Sequence, residues 1–207
     1  MATSELPSLG ERIREERVRR GVSLRALAAE VGVSASMISQ IENGKSQPSV
    51  STLYAITTAL GISIHEVFDA GAPAEQPRVV GEPTTLIEAL GSSRGQRIGP
   101  VVGEKDRQAL TLDTGVVWER LGELPPHPVD FLLVTYPPGG TSSSTGGLMR
   151  HPGAEFGYLI SGELVLTLGF EEIHLSAGDS FSFESATPHS YRNEGTEPAV
   201  GVWFVAE

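Results

Sequence analysis

Residues 23–63 read SLRALAAEVGVSASMISQIENGKSQPSVSTLYAITTALGIS, and this stretch decides the fold of the first third of the chain. Its apolar residues recur at the 3.6-residue spacing of amphipathic helices. Serines suited to N-caps precede the apolar runs, and glycines suited to helix ends follow them. The pattern predicts three helices, which span 24–31, 35–42 and a segment from Ser49 or Ser51 to Leu60.

Two further helices flank this stretch. A charged segment that ends at Gly21 carries apolar residues at Leu9, Ile13 and Val18. Its glutamates at 15 and 16 stand four residues before arginines, which is the favourable order for ion pairs on a helix. A short apolar run at 64–68 predicts the last helix. We therefore expect residues 1–70 to form a compact all-α bundle of five helices.

The order helix, glycine-centred turn, helix is the arrangement with which proteins place one helix in the major groove of DNA. Residues 23–63 resemble the helix-turn-helix of the lambda-repressor or XRE family. The resemblance rests on S-x-I-S-x-I-E-N-G-K followed by P-S-V-S-T-L, over about forty residues. It implies that 24–31 is the supporting helix and 34–42 the recognition helix, and that the chain binds a double-stranded DNA operator.

The exposed side of the predicted recognition helix has side chains suited to base contacts. Gln40 can form a bidentate pair with adenine, and small residues can contact thymine methyl groups. Polar residues around the helix suit phosphate contacts. The candidate DNA-binding residues are Ser23, Arg25, Ser34, Ala35, Ser36, Ser39, Gln40, Asn43, Lys45 and Ser46. The alternative interpretation is that these polar residues are only the solvated face of a small bundle.

Charge is distributed unevenly along the chain. The formal net charge is −11, yet residues 1–70 contain seven basic and eight acidic side chains, and five of the arginines lie between Arg12 and Arg20. An acidic surface repels DNA, so the near-neutral first third is the part suited to a polyanion. Few cations neutralise few phosphates, and one copy should therefore bind weakly. We expect a homodimer that binds two half-sites.

The residue pattern changes after the bundle. Residues 71–83 have the composition of a linker, and 84–207 form a second predicted domain with short β-type runs between turn residues. Such spacing without helices predicts an all-β antiparallel sandwich or barrel. TSSSTGG at 141–147 is predicted to be a flexible loop. The predicted strands are 109–112, 115–121, 129–136, 156–160, 163–168, 172–175, 180–183 and 199–205.

Three residues of this second domain form a candidate metal site. His151 and Glu155 are four residues apart, so on an extended strand both side chains would point to one face. His189 follows later in Thr-Pro-His-Ser-Tyr. Two imidazoles and one carboxylate can hold Fe(II), and equally Mn, Ni or Zn. The remaining histidines, His65, His127 and His174, are assigned ordinary structural roles.

HPGAEFGYLISGEL at 151–164 and GDSFSFESATPHSYRN at 178–193 resemble the two motifs of the cupin family, with a motif core at 149–205. The resemblance implies a double-stranded β-helix barrel with metal ligands at His151, Glu155 and His189. Met149 stands where the family has its first histidine. A thioether is a poor ligand for a hard divalent ion, and it suits pocket filling instead. The alternative is a metal-free polar cluster that orients a small ligand.

Composition excludes several other classes of protein. The chain has no cysteine, which removes disulfides and thiolate chemistry. It has no apolar run long enough for a membrane helix and no N-terminal signal pattern, so we expect a cytoplasmic protein without a membrane partner.

The two resemblances imply a transcription regulator, expected to be a repressor, whose cupin barrel senses a small-molecule effector. The alternatives are an iron enzyme like hydroxypropylphosphonate epoxidase, which the chain also resembles, and a binding module without transcriptional output.

Overall fold

The computed structural model describes residues 8–68, 101–122 and 129–206. The predicted linker at 71–83, the stretch 84–100 and His127 lie outside the described residues, as does the side chain of His65. The described residues form an α-helical bundle and a β-rich domain, as the sequence predicts. The helices are α1 (Leu9–Arg19), α2 (Leu24–Val31), α3 (Ala35–Glu42), α4 (Val50–Leu60) and α5 (Ile64–Phe68).

Serine side chains cap the first four helices. The hydroxyls of Ser23 and Ser34 each accept a hydrogen bond from a backbone N–H three residues later, at 3.1 Å in both cases. Ser49 caps α4 in the same way at 3.2 Å, so it is Ser49 and not Ser51 that begins this helix. Ser8 forms a reciprocal capping box with Glu11 on α1. These caps satisfy backbone donors that would otherwise have no partner.

The bundle packs around side chains that are at most 1% exposed, among them Ile13, Leu27 and Ile38. α1 lies directly against the end of α3, because a Cβ on Gly10 would come within 2.1 Å of the carbonyl oxygen of Ile41. The predicted apolar position at Val18 is wrong: its side chain is 61% exposed. Five residues of α-helix rotate Val18 about 140° away from Ile13, which places it off the buried face.

Within the described residues, nine strands follow in two antiparallel sheets. One sheet has the order β1-β2-β3-β9-β4-β7, and the other has the order β6-β5-β8. Their bounds are β1 (Ala109–Thr111), β2 (Val117–Gly122), β3 (Val129–Tyr136), β4 (Ala154–Ser161), β5 (Glu163–Leu168), β6 (Glu171–Ser176), β7 (Ser180–Glu184), β8 (His189–Arg192) and β9 (Ala199–Ala206). The side chains of Tyr136, Leu166, Tyr191 and Trp203 are buried between the sheets.

The predicted strands coincide with eight of these nine to within two residues. The sequence pattern does not predict β8, because HSYR has four residues, a proline before it and little apolar character. It is nevertheless paired with β5 over its whole length. Gly157 on β4 leaves room for an aromatic ring from β7, since a Cβ there would meet the ring of Phe181 at 2.0 Å.

The prediction that 141–147 is a flexible loop is wrong at its start. Ser142 and Ser143 are 0% and 5% exposed. The Ser142 N–H donates to the carbonyl of Tyr191 at 2.9 Å, and its hydroxyl accepts from the Tyr191 N–H at 2.9 Å. Composition cannot reveal the burial of these serines. A serine can hydrogen-bond to the backbone of a strand only when a strand lies beside it, and here that strand is β8.

The helical bundle packs directly against one end of the barrel. The N–H of Ser51 on α4 donates to the carbonyl of Ser142 at 2.9 Å, and the N–H of Asp113 donates to the carbonyl of Pro48 at the same distance. The guanidinium carbon of Arg120 lies 5.8 Å from the ring centroid of Phe68. The buried side chains of the two parts form one continuous apolar cluster.

Candidate functional site

The predicted recognition helix, α3, has one buried and one exposed side. Ile38 and Ile41 are buried against α1 and α2. Ser36 and Gln40 are exposed on the opposite side, and Lys45 is exposed just after the helix. The buried pair fixes the helix in the bundle, so the exposed pair projects from a rigid support.

The remaining candidate DNA residues lie around the same helix. Ser34, Asn43, Ser23 and Arg25 are exposed, while Ala35, Ser39 and Ser46 are only half-buried. The Asn43 side-chain amide donates to the carbonyl of Ser39 at 2.6 Å and closes the last turn of α3. Ser23 and Ser34 place the N-terminal ends of α2 and α3 beside this surface. Backbone N–H groups at such ends are suited to phosphate oxygens.

Inside the barrel, His151, Glu155 and His189 meet in one buried cluster. Their side chains are 1%, 2% and 0% exposed. Nε2 of His151 lies 2.7 Å from Oε1 of Glu155, and Nε2 of His189 lies 2.9 Å from the same oxygen. The three candidate ligand atoms all lie within 4.8 Å of one another.

His151 reaches this cluster by a different route from the one its spacing indicates. β4 begins at Ala154, so His151 precedes the strand, and Gly153 between them has φ +89°. The N–H of His151 donates to the carbonyl of Ser185 at 3.2 Å, which ties its backbone to the residues after β7. The assumption of one extended strand from His151 to Glu155 is therefore wrong, although the two side chains do converge.

The outer nitrogens of both imidazoles are committed to backbone carbonyls. Nδ1 of His151 is 3.1 Å from the carbonyl oxygen of Pro152, and Nδ1 of His189 is 2.8 Å from that of Thr187. A carbonyl oxygen only accepts, so each Nδ1 carries the proton. In the neutral imidazoles both Nε2 lone pairs then point toward the Glu155 carboxylate. Within the described residues, Nε2 of His189 is buried without a hydrogen bond.

The second oxygen of Glu155 is fixed by Tyr191. The Tyr191 hydroxyl donates to Oε2 at 2.7 Å. Burial alone would raise the pKa of Glu155, but the close approach of His151 and His189 to its carboxylate, and the positive charge that these imidazoles carry when protonated, outweigh it and lower this pKa to about 2. Burial and the Glu155 charge raise the pKa of Tyr191 well above its usual value. Glu155 is thus a carboxylate and Tyr191 a neutral donor at neutral pH.

This donor set fits a divalent metal ion. Two ligand atoms that each lie about 2.1 Å from one ion, at an angle of about 90°, are about 3.0 Å apart. The two N–O distances at Glu155 are close to that value. Imidazoles that donate their outer N–H to carbonyls and a carboxylate held by a hydroxyl are the usual surroundings of metal ligands. A cation between the three groups would also satisfy the buried Nε2 of His189.

A small cavity adjoins the cluster. It has a volume of about 20 Å³, and its walls are apolar or aromatic apart from Glu155. Met149, 5% exposed, lines it beside the barrel residues Trp118, Tyr136 and Trp203. Val50 and Tyr54 of α4 complete the wall. The sequence pattern does not place α4 at the barrel, because both residues also fit the apolar face of a helix within the bundle.

A helix-turn-helix bundle joined to a double-sheet barrel with a buried two-histidine, one-carboxylate cluster defines a class of two-domain DNA-binding protein with a cupin fold. The helix-turn-helix family matches residues 13–67, and the cupin domain family matches 132–205.

The chain belongs to the family of HTH-type transcriptional regulators with a cupin domain. It is 32% identical over 184 residues to the HTH-type transcriptional regulator PuuR of Escherichia coli (strain K12), a match that covers 89% of this chain and 86% of PuuR. It is 27% identical over 192 residues to the regulator SutR of the same organism, covering 91% and 89%.

A solved structure has the same arrangement of the two folds. The crystal structure of an HTH_3 family transcriptional regulator from Vibrio cholerae superimposes with a TM-score of 0.63 at 22% identity, and the match covers 96% of this chain and 94% of that one. None of the described helices has the length and apolar character that crossing a membrane requires. On the two family matches and the identity to PuuR, the chain is an XRE-type DNA-binding transcriptional regulator, as the two motif resemblances predict.

Proposed function

We propose that this chain is a dimeric repressor that acts in the cytoplasm, that reads its operator with α3 and that senses a small molecule in its barrel. The observation that carries the proposal is the division of α3 into a buried side at Ile38 and Ile41 and an exposed polar side at Ser36 and Gln40. A recognition helix needs both a rigid support and free side chains that can reach base edges.

The candidate residues divide by the contacts that they can make. Ala35, Ser36, Ser39 and Gln40 lie on the recognition helix and contact bases, with Gln40 suited to adenine. The other candidates lie at helix ends or on flanking turns and contact phosphates. This second set consists of Ser23, Arg25, Ser34, Asn43, Lys45 and Ser46.

The experiment that tests this division is a titration of the full chain against its selected operator at several salt concentrations. The chain has two lysines, Lys45 beside α3 and Lys105 in the barrel, and both are exposed. Lys45→Ala should weaken binding to all sequences alike and reduce the salt slope of the dimer by about 1.8, since one phosphate contact is lost at each of the two half-sites. Lys105→Ala is the matched control and should bind like the wild type.

Gln40→Ala tests base reading in the same titration. Loss of a bidentate contact should remove about 1–3 kcal/mol of discrimination at one base pair of each half-site, with little change in the salt slope. Unchanged sequence preference in Gln40→Ala, together with unchanged binding in Lys45→Ala, would contradict the assignment of α3 as the recognition helix.

The barrel cluster is proposed as a metal site that anchors the effector. His151, Glu155 and His189 would hold Fe, Mn, Ni or Zn, and the ion would supply a Lewis-acidic position for an oxygen or nitrogen atom of the effector. The orphaned Nε2 of His189 and the commitment of both Nδ1 atoms to carbonyls support this proposal over a metal-free polar cluster.

The dimer is proposed to form through the outer face of the larger sheet. Phe131, Phe156, Tyr158 and Phe204 are 39–50% exposed there. Phe204 lies between Phe131 and Phe156, with ring centroids at 6.4 and 6.3 Å. These four side chains alone expose roughly 300–400 Å² of mostly apolar surface, which is about half of one side of a standard interface.

A second copy of the chain is the occupant that suits this face. In a two-fold dimer the aromatic patch of one copy contacts the same patch of the other copy. The acidic surfaces of the two barrels then do not face each other. Two-fold pairing also supplies the second recognition helix that a two-half-site operator requires.

A second candidate function is oxidation by a mononuclear iron centre, which the two-histidine, one-carboxylate set favours. Against it stands the cavity, which within the described residues is lined by no arginine or lysine that could hold a phosphonate. Oxygen consumption by the Fe(II)-loaded protein with hydroxypropylphosphonate is the discriminating measurement, and a regulator should show none above the free-iron rate.

A further inference from the structure

The strongest unexplained feature of the molecule is that its DNA-binding bundle closes the barrel cavity. Val50 and Tyr54 of α4 are 1% and 4% exposed, and both line the cavity. The phenol ring of Tyr54 is stacked on the imidazole of His151, with centroids 4.1 Å apart and planes at 5°. The same ring lies edge-to-face with Trp118 at 5.8 Å.

With Tyr54 in place there is no room for an effector. The cavity of about 20 Å³ holds about one water molecule. Sites for organic ligands have volumes of about 300–1,000 Å³. A metal ion fits beside Tyr54, but an organic molecule can contact His151 and Glu155 only if the Tyr54 ring leaves.

Departure of the Tyr54 ring removes one of the contacts that hold α4 on the barrel. The ring belongs to a helix that is also held by the hydrogen bond from Ser51 to Ser142. Ser142 in turn bonds Tyr191, whose hydroxyl holds Glu155. The site therefore contacts α4 twice, directly through Tyr54 on His151 and indirectly through Tyr191 and Ser142.

We propose that Tyr54 is an internal plug of the effector site, so that an organic ligand in the barrel and docking of the DNA-binding bundle exclude each other. This inference rests on the proposed sensor function and assigns its regulation. Tyr54 also defines the ligand class, because it occupies the place of a ligand: the group that replaces it is a planar ring that stacks on His151 between aromatic walls.

The docked state leaves the recognition helix free. Ser36, Gln40 and Lys45 are exposed while Tyr54 is in the barrel. Docking therefore fixes both bundles of a dimer at one separation, which favours simultaneous binding of two half-sites. After undocking, each bundle is held to its barrel only by the connecting chain. The effective concentration of the second bundle at the second half-site is then lower. The ligand thus releases the operator.

The test uses full-length wild type, Tyr54→Ala and Tyr54→Phe, with p-cresol as the probe because it is the tyrosine side chain in free form. The chain has two tryptophans, Trp118 and Trp203, and both line the cavity. Acrylamide quenching with excitation at 295 nm therefore reports how well the barrel is sealed.

Tyr54→Ala should raise the quenching constant several-fold and bind p-cresol, whereas wild type and Tyr54→Phe should stay sealed and bind it at least about tenfold more weakly. Tyr54→Ala should also bind the two-half-site operator about tenfold or more weakly and a single half-site unchanged.

A second variant protects the test against misfolding of Tyr54→Ala. Ser51 lies in the first turn of α4, where its N–H has no helical partner, so Ser51→Pro removes the bond to Ser142 and is tolerated by the helix. It should raise quenching in the same direction. Circular dichroism of all variants verifies the helical content.

Quenching equal to wild type in both Tyr54→Ala and Ser51→Pro would overturn the plug, as would p-cresol binding to the wild type with the tryptophans still sealed. The fluorescence readout needs no DNA. If the wild type fails to bind any operator, the proposed function fails and the plug is still tested separately.

Discussion

The guanidinium group of Arg17 on α1 is joined to the carboxylate of Glu42, the last residue of α3, by two hydrogen bonds of 2.5 and 2.8 Å. Arg17 also donates to the carbonyl of Val22 at 2.9 Å. The two side chains are 11% and 3% exposed. The hydrogen bond to Glu42 raises the pKa of Arg17, which keeps the pair ionised. One buried ion pair thus holds α3 against α1 and the turn before α2.

Removal of Arg17 should strongly destabilise the bundle. Arg17→Met leaves the Glu42 carboxylate buried without its partner, and the free energy of unfolding should fall by about 3–5 kcal/mol. Arg19→Met is the matched control, because Arg19 pairs with Glu16 at the surface with 59% of its side chain exposed. That control should lose at most about 1 kcal/mol. Urea unfolding followed by circular dichroism measures both, and equal losses would contradict the structural role of Arg17.

Metal retention should depend on His189 and should not depend on a histidine outside the cluster. The full chain should retain about one divalent ion per copy after dialysis against Zn(II), Ni(II) or Fe(II) under anaerobic conditions. His189→Ala should retain almost none, while His174→Ala, which changes an exposed residue of β6, should retain as much as the wild type.

A milder change tests the support of the metal ligands. Tyr191→Phe removes the hydroxyl that holds Oε2 of Glu155, and it should weaken metal binding by about 10–100-fold without abolishing it. Equal retention by the wild type and His189→Ala would favour the metal-free polar cluster.

The aromatic face of the larger sheet should control the oligomeric state. Phe204→Glu puts a charge in the centre of the Phe131–Phe204–Phe156 row, and the dimer dissociation constant should rise about 100-fold or more. Phe170→Glu is the control, because Phe170 is fully exposed at the turn after β5. Sedimentation velocity at several concentrations distinguishes the two. A dimer that persists in Phe204→Glu would show that another surface joins the copies.

The helical half of the fold could be predicted because its signals are local. Ser23, Ser34 and Gly32 fix helix ends through hydrogen bonds to residues three or four positions away. The exposure of Val18 could not be predicted, because the residue is apolar but lies off the buried side of α1. The residues of the barrel site could be predicted, but the backbone conformation that brings them together could not. A turn at Gly153, and not the alternation of side chains along a strand, brings His151 to Glu155.

The pairing of β8 and the contacts between the helical bundle and the barrel could not be predicted. Ser142 is buried because β8 lies beside it, and β8 itself has too little apolar character to be recognised as a strand. Tyr54 fits the apolar periodicity of α4 equally well in an isolated bundle and in a bundle docked on the barrel. Whether Tyr54 packs within the bundle or in the barrel depends on how the bundle docks. The docking surfaces belong to segments about a hundred residues apart in the chain.

The measurement that tests the central claim most directly is footprinting of the purified full-length chain on the genomic DNA of its source. We predict a protected operator with two half-sites whose centres are 10–10.5 base pairs or a multiple of that spacing apart. Loss of this footprint in Gln40→Ala, with general DNA retention unchanged, would assign the reading to α3. A complete absence of protected sequence, at protein concentrations that retain DNA non-specifically, would contradict the claim that this protein reads DNA.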